Sequence, residues 1–360
     1  MRSNKLTKNQ REAIGLLSIG TFLEYFDLML YVHMAVLLND LFFPKDSVLA
    51  NELLAATAFC LTYLLRPIAG FIIGSTGDFL GRKFTIMLTT FIMAASCLIM
   101  ANLKTYAEIG LTASVGIIIC RMLQGFSSVG ELMGAQLYIT EILKTPYRCF
   151  ASGIVIFGKQ LGGVFALVVA SFAISSDFNW RLAFWIGAGI ALIGVLARTR
   201  LREASEFTDY KRRMKNIAEQ SNQKTESIKN SLVTNEKTDK KAVLAFFFTE
   251  FHIPICFYIT YMYLGDFMKK TMGMTPEQVI NQNLKVSIFV AIGALIIAFI
   301  VKKIHPIKIA IITAVFFVMV FPFIPYWIEN VSSLASLLLL QCIIFSIGLS
   351  TYGTLDGIQY

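Results

Sequence analysis

Apolar runs long enough to cross a bilayer recur along this chain, at roughly 13–38, 50–74, 84–102, 110–139, 149–174 and 182–200, and again near 242–266, 284–301, 307–328 and 333–352. A helix rises about 1.5 Å per residue and the hydrocarbon layer is about 30 Å thick, so roughly 20 apolar residues make one crossing. Each run therefore predicts a transmembrane helix, and most gaps are too short to hold a soluble domain. Composition agrees: the 360 residues are 56% hydrophobic and 15% charged with mean hydropathy +0.65, against about 25% charge in soluble domains. The class expected is all-α and polytopic, with an N-terminal six-helix bundle over 1–200, a basic linker over 201–241 and about four helices over 242–360.

A net charge of +9 would suit a nucleic-acid partner only if the basic residues gathered on one face. Here they sit between apolar runs, and no nucleic acid is expected. Lys and Arg are retained on the cytoplasmic side of short loops. Arg2, Lys5, Lys8 and Arg11 precede the first run, Lys302, Lys303 and Lys308 follow the eighth, and the opposite loop at 39–49 carries Asp40 and Asp46 against Lys45. This alternation predicts a cytoplasmic N-terminus. The stretch from Arg198 to Lys241 holds twelve basic and seven acidic residues on the same side. It reads either as a solvated connector or, at KRRMKN 211–216, as a contact for anionic membrane lipid. The first apolar run is too long for a signal-peptide core and is expected to stay in the mature protein. The six cysteines lie far apart without metal-ligand spacing and read as small packing residues. No phosphate loop, zinc-protease or nucleophile-elbow motif occurs, so neither enzyme activity nor a cofactor is expected.

Seven ionisable residues lie inside apolar runs: Glu24, Asp27, Arg66, Arg121, Glu131, Lys159 and Glu250. At about 2.5–3.5 kcal/mol each, seven lipid-facing charges would cost on the order of 20 kcal/mol, so they must face one another or water. Glu24 and Asp27 are one helical turn apart, with Tyr31 on the same stripe. Buried together, they suit reversible protonation, or else permanent pairing with a cation such as Arg121. Arg121, Gln124, Ser128 and Glu131 recur at helical spacing and form a polar stripe lining a cavity or a helix contact. Lys159 can face a substrate carboxylate or neutralise Glu24 or Asp27. The pairs Gly70/Gly74, Gly130/Gly134 and Gly158/Gly162 predict close helix contacts. Glu250, His252 and Pro254 mark a possible hinge, with His252 either a proton relay or a structural residue.

RPIAGFIIGSTGDFLGRK, with Arg66, Pro67, Gly70, Gly74, Gly77, Asp78, Gly81, Arg82 and Lys83, resembles the second span and following loop of major facilitator transporters, particularly the metabolite:proton symporter branch. GTFLEYFDLMLY at 20–31, RMLQGFSSVGELMGAQLYITE at 121–141 and NWRLAFWIGAGIALIGVLARTRLREASEF at 179–207 extend the resemblance over the N-terminal half. It implies two six-helix bundles, a substrate site between them and alternating access driven by protons. The expected function is proton-coupled symport of a small polar metabolite, a proline- or betaine-like osmolyte or an organic acid, by a monomer in a bacterial inner membrane. On this reading Glu24, Asp27 and Glu131 carry protons, and Tyr31, Arg121, Gln124 and Lys159 contact substrate or set charge. Arg66, Gly74, Asp78, Gly81, Arg82 and Glu141 latch one conformation.

Phe79 replaces a usual basic residue, and VKKIHPIKI at 301–309 keeps basic charge without the Gly, Asp and Gly-Arg elements of the first loop. The chain ends at Tyr360 after about ten runs, so the last two helices of the family plan are expected to be missing and the C-terminal bundle incomplete. Two rivals follow: a truncated, non-transporting relative, and a membrane receptor or scaffold that signals through the linker.

Overall fold

The computed structural model describes residues 6–44, 48–144, 147–174, 179–199, 241, 255–331 and 333–351. The first half comprises α1 (Lys8–Phe42), α2 (Val48–Leu64), α3 (Arg66–Leu80), α4 (Arg82–Asn102), the single turn α5 (Tyr106–Ile109), α6 (Leu111–Ile142), α7 (Tyr147–Ile174) and α8 (Trp180–Arg198). The second half comprises a π-helical turn (Tyr258–Tyr263) running into α9 (Leu264–Lys270), then α10 (Pro276–Ile300), α11 (Pro306–Val320), α12 (Ile324–Glu329) and α13 (Leu334–Thr351). Among the described residues there is no strand. The linker before Lys241, and with it Glu250, His252 and Pro254, lies outside the described residues.

Local chemistry sets the element ends. Thr7 and Thr275 each close a capping box, with Gln10 and Gln278 reaching back to the cap amide. This satisfies donors that a helix start leaves orphaned. The second expected span is realised as two helices because Pro67 has no amide hydrogen and disfavours helical geometry at Arg66. The break falls at Leu65, whose carbonyl still accepts from the Ala69 amide at 2.8 Å, so the axis is kinked rather than severed. Gly81 turns the chain between α3 and α4 at φ 104°, a conformation closed to side chains with a Cβ.

Glycines determine how near the helices come. A Cβ at Gly158 would lie 2.7 Å from the Ser18 carbonyl oxygen, and one at Gly162 would collide with the Phe22 carbonyl. Helices α1 and α7 therefore run backbone to backbone. Gly125 admits Thr62 of α2, while Gly130 and Gly134 admit Thr89 and Ile86 of α4. Gly70 and Gly74 depart from expectation: among the described residues a Cβ at Gly70 would meet only Val129, at 3.7 Å, and one at Gly74 would meet nothing within 4 Å. Small residues in that stripe do not draw helices together, since their spacing says nothing about which face a neighbour takes.

The larger core lies between α1, α6, α7 and α8 and includes Phe26, Leu30, Met34, Phe42, Ala166 and Phe184. A smaller one in the second half gathers Leu264, Met268, Val279, Ile324, Leu337 and Ile344. Outward faces carry exposed Phe71, Phe91, Ile193, Val318 and Met319, the inversion of a soluble surface that hydrocarbon solvent requires. The start of α1, the α3–α4 turn, and the ends of α6 and α8 share one face of the molecule. Gln10 Nε2 donates to the Ile142 carbonyl at 3.1 Å, and Lys83 Nζ donates to the Thr199 carbonyl at 2.9 Å.

Gly162→Leu is expected to lower thermal stability in detergent by about 3 kcal/mol or to prevent accumulation altogether, through overpacking. Gly74→Ala is expected to stay within about 0.5 kcal/mol of the parent in the same measurement.

Candidate functional site

Asp27 sits midway along α1 with 2% of its surface exposed. Its Oδ1 accepts from Cys97 Sγ of α4 at 2.8 Å, and its Oδ2 accepts from Gln124 Nε2 of α6. Gln124 turns its carbonyl the other way and accepts from Arg121 Nη1 at 2.7 Å. The amide thus offers a donor to the anion and an acceptor to the cation, a bridge its two-ended chemistry allows. Arg121 and Gln124 are one turn apart on α6, so helix geometry aligns them on a common face.

The sequence left open a direct pairing of Arg121 with Asp27. Among the described residues no ion pair joins them; Gln124 stands between. Arg121 is fully buried, its guanidinium 3.9 Å from the centroid of the Tyr31 ring. Its Nε and Nη2, and the Tyr31 hydroxyl, have no hydrogen-bond partner among the described residues. Buried donors without partners are costly, and three such groups side by side mark a place where a polar ligand would be welcomed. Tyr63 and Arg66 lie within electrostatic reach of Arg121.

Of the remaining expected residues, Glu24 is buried one turn before Asp27, and Lys159 is buried on α7 with its ammonium 4.7 Å from the Tyr25 ring centroid. Ser128 bonds the Gly125 carbonyl of its own helix at 3.0 Å. Glu131 belongs to the same helix, and its side chain lies outside the described residues.

The turn at Gly81 gathers a second cluster. Arg82 Nη2 lies 2.9 Å from Asp78 Oδ1, and Arg82 Nε lies 3.0 Å from Glu141 Oε1. One guanidinium therefore ties α3, α4 and α6 together, using the fork geometry that lysine lacks. Arg66 was grouped with this cluster on the strength of its motif. The structure instead stacks its guanidinium 4.6 Å from the Tyr63 ring at the helix break, beside the Arg121 group. Arg66 opens the fifteen-residue helix that Leu80 closes, so motif membership does not mean contact.

A small cleft of ≈ 10 Å³, about the room of one water molecule, opens between the two halves. Tyr25, Met29, His33 and Gln160 line it from the first half, and Phe257, Tyr261, Ser287 and Phe345 from the second. The Tyr261 hydroxyl and Ser287 Oγ are 2.7 Å apart. Sequence reasoning singled out none of these except as generic apolar positions, because uncharged aromatics in a membrane helix look alike whether they face lipid or a cleft. It also missed Cys97, which it took for packing, and Arg198. Arg198 is fully buried, donates to Thr90 Oγ1, and fills the space that a Cβ at Gly20 would occupy. Its position at the end of an apolar run reads as a linker charge.

Comparison with known proteins places this geometry. The family model described as Major Facilitator Superfamily matches residues 17–358. The proline/betaine transporter of Escherichia coli K12 is 31% identical over 207 residues, covering 56% of this chain and 41% of that protein. The putative proline/betaine transporter of Staphylococcus aureus strain COL is 32% identical over 212 residues, covering 56% and 45%. The chain thus spans less than half the length of the curated relatives it matches. Among solved structures, the proton:xylose symporter XylE bound to 6-bromo-6-deoxy-D-glucose superimposes with TM-score 0.77 at 16% identity, covering 96% of this chain and 82% of that one. The human organic anion transporter MFSD10 superimposes with TM-score 0.64 at 14% identity, covering 97% and 89%. A family match that encloses both halves and the cavity between them establishes that the chain belongs to the Major Facilitator Superfamily.

Proposed function

We propose that this chain is a secondary carrier that moves a small polar metabolite across the membrane by alternating access, coupled to protons through Asp27. The supporting observation is the chain Asp27–Gln124–Arg121, a buried carboxylate held by neutral donors with its nearest cation one residue removed. A carboxylate locked directly to a guanidinium would be hard to protonate, whereas one held by an amide and a thiol can exchange its proton with little rearrangement. Glu24 and Glu131 are further proton candidates on the same two helices. Arg121, Tyr31 and Lys159 supply the groups that would meet a substrate carboxylate, and Lys159 lies against Tyr25, which lines the cleft between the halves.

The names of the relatives favour a zwitterionic osmolyte of the proline or betaine type over an organic acid. The orientation proposed is N-terminus cytoplasmic, supported by the basic residues of the first eleven positions and of the α10–α11 loop. On that orientation the Arg82–Asp78–Glu141 cluster lies at the cytoplasmic face and acts as a latch. Protons, the metabolite and membrane lipid are the partners, and a monomer suffices for the mechanism.

Reconstituted into liposomes, the full chain is expected to accumulate labelled proline or betaine under an inward proton gradient and to lose that accumulation with a protonophore. Screening α-ketoglutarate and shikimate alongside decides the substrate class. Asp27→Asn should cut gradient-driven uptake at least about tenfold, a change of ~1.4 kcal/mol in the coupled step, while leaving the protein folded; undiminished uptake removes Asp27 from the mechanism. Arg121→Lys should raise the substrate concentration for half-maximal uptake by about tenfold, because a point charge cannot replace the planar fork. Glu141→Gln should slow turnover and cost less than about 1 kcal/mol in thermal stability, as expected for a partly exposed ion pair.

A further inference from the structure

The loop after α10 keeps basic charge without the Gly-Asp-Gly-Arg elements of its counterpart after α3, and orientation is the role its sequence suggests. The structure gives one of its lysines a specific neighbour. Lys302 Nζ lies 3.5 Å from the centroid of the Phe150 ring and 5.0 Å from that of Phe299. The two rings are 5.5 Å apart at an interplanar angle of 55°. Phe150 lies in the first turn of α7 in the first half; Phe299 ends α10 in the second, and Lys302 lies in the turn just after it. One turn further along α7, a Cβ at Gly153 would lie 2.7 Å from the Ala298 Cβ. The halves therefore touch backbone to backbone immediately beside the ammonium.

We propose that Lys302, Phe150 and Phe299 form a cation–π clasp that holds the two halves together at the cytoplasmic face and must break before that face opens. This rests on the alternating-access reading and on the orientation proposed above. The Arg82 cluster joins α3, α4 and α6, all within the first half, so it stiffens one bundle; the Lys302 contact crosses the seam. A lysine over an aromatic face is attracted by the ring quadrupole, and the attraction falls away within a few ångströms. Rocking the bundles apart would lift the ammonium from Phe150 while leaving it near Phe299, three residues before it in the same half. The contact therefore favours the closed arrangement over the open one, which is the condition for shifting a two-state equilibrium. Gly153 is the complement: any side chain there would wedge the seam and leave Lys302 out of reach.

The test uses the full chain in liposomes with spin labels at Lys144 and Lys308, two exposed positions on opposite sides of the seam. Pulsed electron-spin distance measurements then report the closed and open populations. Lys302→Gln is expected to raise the ratio of long to short distances about two- to five-fold, Phe150→Leu to do the same, and Lys302→Arg to leave it near the parent. Lys303→Gln, which removes the adjacent charge, serves as control and should change nothing. Equal effects of the Lys302→Gln and Lys303→Gln variants, or none from Lys302→Gln, overturn the clasp. Should the distances shift as expected in a chain that accumulates none of the tested metabolites, the clasp stands and the carrier reading fails alone.

Discussion

An ionised side chain moved from water into hydrocarbon loses several kcal/mol of hydration, and both Asp27 and Arg121 must recover that loss inside the bundle. They do so through Gln124, whose amide donates to one and accepts from the other. The rest of the first half is arranged so that this bridge can exist. Helix α6 must lie close enough to α1 for a glutamine to span the gap, and α4 close enough for Cys97 to reach the second carboxylate oxygen. The result is a charged centre that is enclosed, with two guanidinium nitrogens and a tyrosine hydroxyl that have no partner among the described residues. A purely structural network would be expected to close on itself, and these groups are the ones the proposed substrate site draws on.

Close approach depends in turn on glycine. In hydrocarbon the gain from packing apolar faces is small, because lipid tails offer similar surroundings, and helix contact relies on van der Waals fit and hydrogen bonds. Gly158 and Gly162 bring α7 against α1, Gly125, Gly130 and Gly134 bring α6 against α2 and α4, and Gly153 brings α7 against α10 across the seam. The same device serves two ends. Within the first half it packs the helices around Asp27, and between the halves it brings α7 against α10 at Gly153 and Ala298. Lys302 over Phe150 lies at the rim of that contact, the observation from which the proposed clasp is argued.

Several features were legible from the residues. The apolar runs foretold the helices, Gly81 foretold the turn, and Arg82 with Asp78 and Glu141 foretold a charged cluster beside it. The spacing of Arg121 and Gln124 placed both on one face of α6, and the cost of lipid exposure pointed that face inward. Arg66 lies away from the Arg82 cluster because α3 separates the two ends of the motif by more than any side chain spans, and the Gly70/Gly74 spacing did not say which face a neighbour takes. Cys97 and the aromatic lining of the cavity left no trace in the pattern, since thiols and rings are equally at home against lipid.

The sequence by itself determined that the chain is a membrane helix bundle, where most helices begin and end, and which charges have to be hidden, because length, hydropathy and capping act within one helix and its solvent. Only the tertiary structure decided what those charges meet. Whether Arg121 touches Asp27 or Gln124, and whether Lys302 faces water or Phe150, turns on the separation and rotation of neighbouring helices to within an ångström or two. Those quantities are set by side chains on two helices at once, and a linear pattern records each helix only against itself.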